Sequence, residues 1–365
     1  MIVILGSTGS IGVNTLQIAS RFNIQIEALV AGDNISLLNE QIRLYKPKIV
    51  GIKENAKKHL VEHKNIFCGE EEILDMLGQC KSKTVVNALV GYAGLMPTLR
   101  SIELGKKVAL ANKESLVVAG HLIDISKITP IDSEHFGLWY LAQNKKFNKL
   151  YITASGGAFR DWDIDKIKNA SLKDALNHPN WSMGDKITID SATMTNKLFE
   201  LLEAAWLFDT TNIDAVLEKK SIVHALVEFA DGSTTAHFAD VDMKLPIAFA
   251  LLDEVNDEIL KPIDLLSIGA IEFLPIDTAR YPIWQIKDEI LKKPHLGVVI
   301  NAANEVAIEK YKTGRCSFAG ISEIVLDAYK KFDHIKPSGI EDTIKINREV
   351  REYVNNFQKL PERKK

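Results

Sequence analysis

Three acidic side chains have the types and spacing of ligands for a divalent cation. Asp132 and Glu134 are two positions apart in a stretch that we predict to be extended, so their carboxylates should point to the same side and Ser133 to the other. Glu200, on a predicted helix, provides a third carboxylate. Carboxylate oxygens suit Mg²⁺ or Mn²⁺, whereas zinc usually brings Cys or His ligands. For the pair alone, a solvated strand end is the better interpretation.

A glycine-rich turn near the amino terminus is a candidate site for the pyrophosphate of a dinucleotide. The segment GSTGSIG, residues 6–12, follows an apolar strand and opens a helix, which is the context that this chemistry requires. A tight turn without a ligand is the alternative. About 20 residues further on, where an acid would bind the ribose hydroxyl of NAD, the chain has Asp33. Its charge favours NAD over NADP, unless Asp33 only caps the next helix.

Polar side chains between residues 155 and 200 have the chemistry of a phosphate site. Asn196 and Glu200 share one side of a helix that we predict within residues 189–208. Ser191, Asn196 and Lys197 would present two neutral hydrogen-bonding groups and one cation to a phosphate. The Ser-Gly-Gly turn at 155–157 offers a hydroxyl and backbone N–H groups. Helix capping and turn formation explain each cluster equally well when it is taken alone.

Two further segments have compositions suited to ligand contacts. Residues 177–184, NHPNWSMG, mix His178 and a tryptophan with turn formers, which is typical of a lid over a ligand and also of a packed structural loop. Residues 112–114, Asn-Lys-Glu, follow a predicted strand at the expected carboxyl end of a sheet, where ligands of such sheets bind. An ordinary helix start with an asparagine cap is the competing explanation.

The elements that position these residues indicate an α/β fold. Apolar strand patterns alternate with helical patterns up to about residue 130, which predicts a doubly wound, Rossmann-like parallel sheet. Asp231-Gly232 joins two alternating segments, which predicts a hairpin in a central α+β domain with a mostly antiparallel sheet. Helical periodicity follows towards the end of the chain. We expect a dinucleotide-binding domain (1–131), a catalytic domain (132–255), a connector (256–281) and a C-terminal helical domain (282–365).

Length and composition limit the class of protein. The 365 residues suffice for two or three domains, and no segment reaches the roughly 20 apolar residues of a membrane helix. A balance of 45 basic against 48 acidic residues gives no reason to expect nucleic acid as a partner. Three cysteines without a CxxC spacing indicate a reducing compartment, and the start of the chain lacks a signal-peptide pattern. We therefore expect a cytoplasmic protein.

Six segments taken together resemble the 1-deoxy-D-xylulose 5-phosphate reductoisomerase family. They are GSTGSIG (6–12), ANKES (111–115), IDSEH (131–135), ASGGAFR (154–160), NHPNWSMG (177–184) and IDSATMTNK with Glu200 (189–200). A seventh segment, NAANEVA at 301–307, is similar to the family's C-terminal domain, so the resemblance covers nearly the whole chain.

The resemblance implies an NADPH-dependent oxidoreductase of non-mevalonate isoprenoid precursor (isoprene) biosynthesis. Such an enzyme rearranges 1-deoxy-D-xylulose 5-phosphate, a small phosphorylated sugar, and reduces the product to 2-C-methyl-D-erythritol 4-phosphate. The resemblance also implies Mg²⁺, Mn²⁺ or Co²⁺, a homodimer that associates through residues 132–255, and a mobile loop at about residues 177–184.

The resemblance further assigns roles to individual residues. The implied metal ligands are Asp132, Glu134 and Glu200. The implied substrate contacts are Lys113 and Ser133 with Glu134 and Glu200 at the reacting end, and Ser155, Ser191, Asn196 and Lys197 at the phosphate, with His178 closing over it. Of these, Lys113, Glu134, His178 and Glu200 are the implied catalytic residues. The implied cofactor contacts are Thr8, Gly9, Ser10, Ile11, Gly32, Asn34, Asn112, Glu114 and Gly184.

The chain departs from the family pattern at one position of the cofactor site. The family usually has Lys or Arg between Gly32 and Asn34, and this chain has Asp33. Asn34 and backbone groups remain to bind the phosphate, so we expect NADPH as the cofactor with a smaller advantage over NADH.

Two other functions share part of the pattern. Another two-domain NAD(P)-dependent oxidoreductase would need neither the phosphate cluster nor the acidic triad. A non-catalytic dinucleotide sensor would bind the cofactor without metal-dependent turnover.

Overall fold

Eleven β-strands form two sheets in the computed structural model, which describes residues 1–143 and 145–357. The strands are β1 (Ile2–Leu5), β2 (Ile26–Ala31), β3 (Ile49–Ile52), β4 (Ile66–Cys68), β5 (Thr84–Asn87), β6 (Lys107–Leu110), β7 (Ile128–Pro130), β8 (Phe147–Ala154), β9 (Ile213–Leu217), β10 (Val223–Phe229) and β11 (Thr234–Phe238). Residues 358–365 of the predicted C-terminal domain lie outside the described residues.

The α-helices lie between and after these strands. They are α1 (Ser10–Arg21), α2 (Ile35–Tyr45), α3 (Gly69–Gln79), α4 (Leu95–Glu103), α5 (Lys113–Ala119), α6 (Ser133–Ala142), α7 (Ile164–Ile167), α8 (Leu172–Ala175), α9 (Asp185–Thr193), α10 (Thr195–Leu207), α11 (Lys244–Leu251), α12 (Leu265–Ile268), α13 (Lys287–Lys292), α14 (Gly297–Lys312), α15 (Phe318–Lys331) and α16 (Ile340–Asn355). In the described part of the chain, none of the helices is both long and apolar enough to cross a bilayer.

The first sheet is parallel and has the order β4-β3-β2-β1-β5-β6-β7. Side chains of β1 alternate between two cores, with Ile2 and Ile4 in one and Val3 and Leu5 in the other. A strand buried on both faces reads as a continuous apolar run, which is why IVIL forms the centre of the sheet. The predicted doubly wound sheet is confirmed, and its strand order reverses between β1 and β5, where ligands of such sheets bind.

One compact unit contains this sheet and comprises residues 1–115, 123–136 and 242–261. Helix α11 belongs to it, because Ile247 and Ala248 lie in the same core as Leu16 of α1. The predicted domain boundaries at 131, 255 and 281 stay a prediction. The two compact units do not have these boundaries, since residues 242–255 pack with the amino-terminal sheet.

The second sheet has the order β11-β10-β8-β9 and is mixed. The hairpin of β10 and β11 is antiparallel, as predicted, and its turn contains Gly232 with a φ of +88°. Strand β8 runs antiparallel to β10 and parallel to β9. The prediction of a mostly antiparallel sheet is therefore not confirmed, because β9 was not recognised in the sequence.

The second unit comprises residues 116–122, 137–241 and the described residues from 262 onward. Its C-terminal part is helical, as predicted, and α14 packs against both α15 and α16. Helix α14 is buried along most of its length, since nearly every residue from Gly297 to Tyr311 is shielded from solvent. It is the central helix of this part of the unit.

Candidate active site

The carboxyl edge of the first sheet brings together most of the predicted cofactor residues. Residues 6–12 follow β1, residues 32–34 follow β2, residues 112–114 follow β6 and residues 132–134 follow β7. Because all these strands are parallel, the four segments leave the sheet at the same edge.

The glycine-rich turn has the backbone geometry of an anion site. Gly6 has a φ of +86°, and a Cβ on Gly12 would lie 2.3 Å from the carbonyl oxygen of Gly6. Helix α1 begins at Ser10, and its N-cap, Gly9, provides no capping side chain. The first N–H groups of α1 therefore have no side-chain acceptor at the cap, which fits a pyrophosphate.

Asp132 caps a helix, and the predicted extended arrangement of Asp132 and Glu134 is wrong. Oδ1 of Asp132 accepts hydrogen bonds from the backbone N–H groups of Glu134 (3.1 Å) and His135 (3.3 Å). These bonds start α6 at Ser133, so Glu134 lies in its first turn. The Ser133 hydroxyl donates to Oε2 of Glu134 at 2.5 Å instead of pointing to the opposite side.

Lys113 forms an ion pair with a predicted metal ligand. Its Nζ lies 3.1 Å from Oδ2 of Asp132, and the two side chains are only 8% and 14% exposed. On the other side of the carboxylate, Nδ1 of His135 lies 3.0 Å from Oδ1. Asp132 is thus held by a cation and by the start of a helix, which fixes its orientation.

Asn112 is committed to structural hydrogen bonds. Its Nδ2 donates to the carbonyl oxygens of Leu89 and Gly91, both at 2.8 Å, and also to Oε2 of Glu114. Its Oδ1 accepts from the backbone N–H of Ser115 at 3.1 Å, as an N-cap does. The competing explanation of an asparagine cap is confirmed, and the amide is already fully used.

In the second unit, Ser155 and His178 are hydrogen-bonded. His178 Nδ1 accepts from the backbone N–H groups of Asn180 (3.1 Å) and Trp181 (2.9 Å). The proton of the neutral ring is therefore on Nε2, which lies 2.9 Å from Oγ of Ser155 and donates to it. Burial, and then the charges of Arg160 and Lys197, lower the pKa of His178 to about 4. At neutral pH His178 is an uncharged hydrogen-bond donor.

Gly157 brings the Ser-Gly-Gly turn against α9. Its φ is +67°, and an added Cβ would lie 2.6 Å from the carbonyl oxygen of Ser191. Only glycine permits this close approach between the two segments. The structure therefore brings together two of the predicted phosphate segments, at Ser155 and at Ser191.

Arg160 supports the same turn and had no role in the sequence prediction. Its Nη1 donates to the carbonyl oxygens of Ser155 (3.1 Å) and Lys219 (2.8 Å). The motif ASGGAFR contained this residue, but its contacts join segments about 60 positions apart in the chain. The sequence had no signal for that pairing.

Glu200 is contacted by two residues of its own helix. Met194, with a φ of +71°, separates α9 from α10, and Asn196 and Lys197 lie in the first turn of α10. Nδ2 of Asn196 donates to Oε1 of Glu200 at 2.5 Å, which confirms that the two share one side of the helix. Lys197 forms a buried ion pair with Glu200. Lys197, which we predict to bind the substrate phosphate, is therefore paired with the Glu200 carboxylate in this structure.

The predicted lid has no helix or strand. Residues 177–184 connect α8 to α9 and contain His178, and Gly184 is the N-cap of α9. Asn180 fastens the segment, since its Nδ2 donates to the carbonyl oxygen of Lys219 at 2.8 Å and to Oγ of Ser221 at 2.6 Å.

The three predicted metal ligands are carboxylates from both compact units. Asp132 and Glu134, in the first unit, each offer one oxygen, and these two oxygens lie within 4.8 Å of each other; Glu200, in the second unit, offers a third carboxylate. Three hard oxygen donors fit Mg²⁺ or Mn²⁺. No other such group was found among the described residues.

Family models match the chain in three segments. The description "1-deoxy-D-xylulose 5-phosphate reductoisomerase" matches residues 2–120, that of its C-terminal domain matches residues 128–208, and "DXP reductoisomerase C-terminal domain" matches residues 238–353.

Relatives and solved structures agree over the full length. The 1-deoxy-D-xylulose 5-phosphate reductoisomerase of Nautilia profundicola is 61% identical over 97% of this chain and 100% of its own length. That of Campylobacter hominis is 53% identical over 98% and 100%. A crystal structure of DOX-P reductoisomerase with NADPH, fosmidomycin and magnesium has a TM-score of 0.91 at 34% identity, covering 97% of both chains. The Zymomonas mobilis enzyme in complex with NADPH has a TM-score of 0.86 at 30% identity, covering 98% of both chains.

Proposed function

The chain belongs to the 1-deoxy-D-xylulose 5-phosphate reductoisomerase family, and we propose that Asp132, Glu134 and Glu200 bind the divalent cation on which its reaction depends. The reaction is the rearrangement of 1-deoxy-D-xylulose 5-phosphate and its NADPH-dependent reduction to 2-C-methyl-D-erythritol 4-phosphate, in non-mevalonate isoprenoid precursor biosynthesis. The cofactors are NADPH and a divalent metal.

The pair of carboxylate oxygens at the start of α6 is the observation that supports the metal assignment. The oxygens of Asp132 and Glu134 lie within 4.8 Å of each other, so the two groups repel when both are ionised and together attract a cation. A bound cation supplies Lewis-acid polarisation of carbonyl and hydroxyl oxygens. Asp132 is held in place by Lys113 and by the N–H groups of α6, so the ligand is oriented in advance.

The glycine-rich turn supports the cofactor assignment. The N–H groups at the start of α1 bind the pyrophosphate, and Thr8, Gly9, Ser10 and Ile11 form the turn around it. When bound, NADPH supplies the hydride. Gly32, Asn34, Glu114 and Gly184 stay proposed contacts, and Asn112 acts by positioning, because its amide is engaged by the backbone.

The second unit supplies the phosphate groups. Ser155, Ser191, Asn196 and Lys197 bind the substrate phosphate through hydroxyl, amide and ammonium donors. Neutral His178 donates from Nε2, first to Ser155 and, in the complex, to the phosphate. Binding at the phosphate, remote from the reacting carbons, orients the short substrate and drives closure of residues 177–184.

At the reacting end, Lys113 and Ser133 orient the substrate oxygens. The Lys113 ammonium is fixed by Asp132 and can donate a proton to an oxygen that develops negative charge. Ser133 is fixed by its hydrogen bond to Glu134. We also propose a homodimer in the cytoplasm, where three free cysteines remain reduced.

NADPH oxidation with 1-deoxy-D-xylulose 5-phosphate, measured with and without Mn²⁺, tests the function. We expect turnover only when both substrate and cation are present. Chelator treatment should abolish the rearrangement as well as the reduction. A metal-free enzyme that still reduces the product of the rearrangement would restrict the cation to the first step.

A further inference from the structure

Asp33 is paired with a lysine from the neighbouring strand connection. Asp33 follows β2, and Lys57 lies in the 3₁₀-helix Asn55–Leu60 that follows β3. Strands β2 and β3 pair in parallel up to Ala31 and Ile52, so both connections leave the sheet at the same edge. Nζ of Lys57 lies 2.5 Å from Oδ1 of Asp33. The connection after β3 thus supplies a cation next to the position where the family usually has Lys or Arg and this chain has Asp33.

The surroundings of this pair are positively charged overall. Lys57 also lies 3.4 Å from Oε2 of Glu54, and Lys53 and Lys58 are exposed in the same connection. Three lysines therefore accompany two acids. The hydrogen bond from Lys57, and then its charge, lower the pKa of Asp33, so this carboxylate is ionised and occupied by the ammonium group. Its effect on a second anion is reduced accordingly.

The backbone next to Asp33 is open at Gly32. A Cβ added to Gly32 would meet nothing within 4 Å, whereas one on Gly12, in the pyrophosphate turn, would collide with the backbone. In doubly wound sheets the ribose of the adenosine half extends from the first glycine turn to the end of β2, where a nearby cation accommodates a 2′-phosphate. Lys57 stands at that end, with 31% of its side chain exposed.

We propose that Lys57 binds the 2′-phosphate of NADPH and so determines the preference for NADPH over NADH in this chain. The inference rests on the proposed dinucleotide site and adds the residue that reads the phosphate. Asp33 holds the ammonium group in position before the cofactor arrives, and the phosphate then takes over that contact. From the sequence we expect a smaller preference for NADPH, because that expectation takes account of the negative charge of Asp33 alone. The positive charge of Lys57 offsets the negative charge of Asp33.

Binding of two adenine nucleotides to the full-length protein tests this without catalysis. The probes are adenosine 2′,5′-bisphosphate, which carries the 2′-phosphate, and 5′-AMP, which does not, measured by isothermal titration calorimetry. We expect Lys57→Gln to weaken the bisphosphate by about tenfold and to leave 5′-AMP within about twofold. Lys57→Arg should restore the bisphosphate. Asp33→Asn should strengthen it, because the ammonium group is released.

Lys58→Gln is the matched control, since it removes the same charge from the same 3₁₀-helix outside the ion pair with Asp33. It should leave the ratio of the two dissociation constants close to that of the parent. An equal loss in Lys57→Gln and Lys58→Gln, or an unchanged ratio in Lys57→Gln, would overturn the proposal. Weaker 5′-AMP binding in Asp33→Asn would instead identify Asp33 as the ribose ligand. A parent protein that binds neither nucleotide would contradict the dinucleotide site itself.

Discussion

The ammonium group of Lys113 lies 3.1 Å from Oδ2 of Asp132, in a place where both side chains are largely shielded from water. Asp132 has two tasks in this position, since Oδ1 starts helix α6 while Oδ2 balances the charge of Lys113. Substitutions can separate the two tasks, because asparagine caps a helix as well as aspartate does.

We predict that Asp132→Asn lowers the free energy of unfolding by about 2 kcal/mol, because the buried ammonium of Lys113 loses its partner. The double variant Lys113→Gln/Asp132→Asn should recover most of that loss. Urea denaturation of the two single variants and the double variant measures the coupling. Strictly additive losses would show that the ion pair contributes nothing to stability.

Removal of Lys113 alone should lower turnover without weakening metal binding. In Lys113→Gln we expect kcat to fall by about 100-fold, because the donor at the reacting oxygen is lost. The affinity for Mn²⁺ should stay the same or rise, because a positive charge next to the ligand Asp132 has gone. Steady-state kinetics and calorimetric Mn²⁺ titration give the two values. Lys107→Gln, at the opposite end of β6, is the control and should change neither.

Glu200→Gln should abolish most turnover in a folded protein. The substitution keeps the shape of the side chain and an acceptor for Asn196 but removes the ligand charge, and we expect kcat to fall by about 100-fold or more. Circular dichroism reports folding. Asp209→Asn, just after the same helix, should behave like the parent. Near-normal rates in Glu200→Gln at saturating Mg²⁺ would exclude it as a ligand.

A pair of glycine substitutions separates backbone strain from close packing. Gly157 and Gly232 both have positive φ, but an added Cβ meets the backbone of Ser191 in the first case and nothing within 4 Å in the second. Gly232→Ala should therefore lower the free energy of unfolding by about 1 kcal/mol, and Gly157→Ala by about 3 kcal/mol. Gly157→Ala should also raise KM for the phosphorylated substrate. Equal losses would mean that the turn and α9 are not in close contact.

Stability should fall in mild acid because of buried imidazoles. Burial, and then the charge of His224, lower the pKa of His237 from 6.5 to about 4. Between these values the unfolded chain binds a proton that the folded chain does not, so the free energy of unfolding decreases as the pH falls from 6.5 to 4. The slope is up to about 1.4 kcal/mol per pH unit for one imidazole.

His237→Gln should make that slope smaller, as measured by urea denaturation at several pH values. His334→Gln, at an exposed imidazole, should keep the slope of the parent. A slope that is the same in all three proteins would assign the acid sensitivity to other groups.

Local sequence patterns predicted the first sheet well. Strand β1 and helix α1 lie where the sequence predicts them, before and after the glycine-rich turn, because a buried apolar run and an amphipathic helical segment are strong local signals. Strands β4, β7 and β9 were not predicted. Strands β4 and β7 have only three residues each, and Asp214 interrupts the apolar run of β9, so none of them was distinguished from a loop. The parallel pairing of β9 with β8, which makes the second sheet mixed, depends on contacts about 60 residues apart.

In the candidate site, residue identities were easier to predict than local geometry. Asp132 followed by Glu134 and an apolar run is also a helix-start pattern, and the preceding strand residues favoured extension instead. The tautomer of His178 depends on the N–H groups of Asn180 and Trp181, and the partner of Asp33 on the next strand connection. Such contacts arise only when the chain has folded.

Helix α11 also affects how the protein is made. The core that contains Leu16 of α1 also includes Ile247 and Ala248 of α11, which leave the ribosome more than 200 residues later. Until then a nascent amino-terminal half exposes the Leu16 face of α1 to other chains. During the synthesis of the residues between the two helices, the uncovered face of α1 is therefore a surface on which chaperones can act.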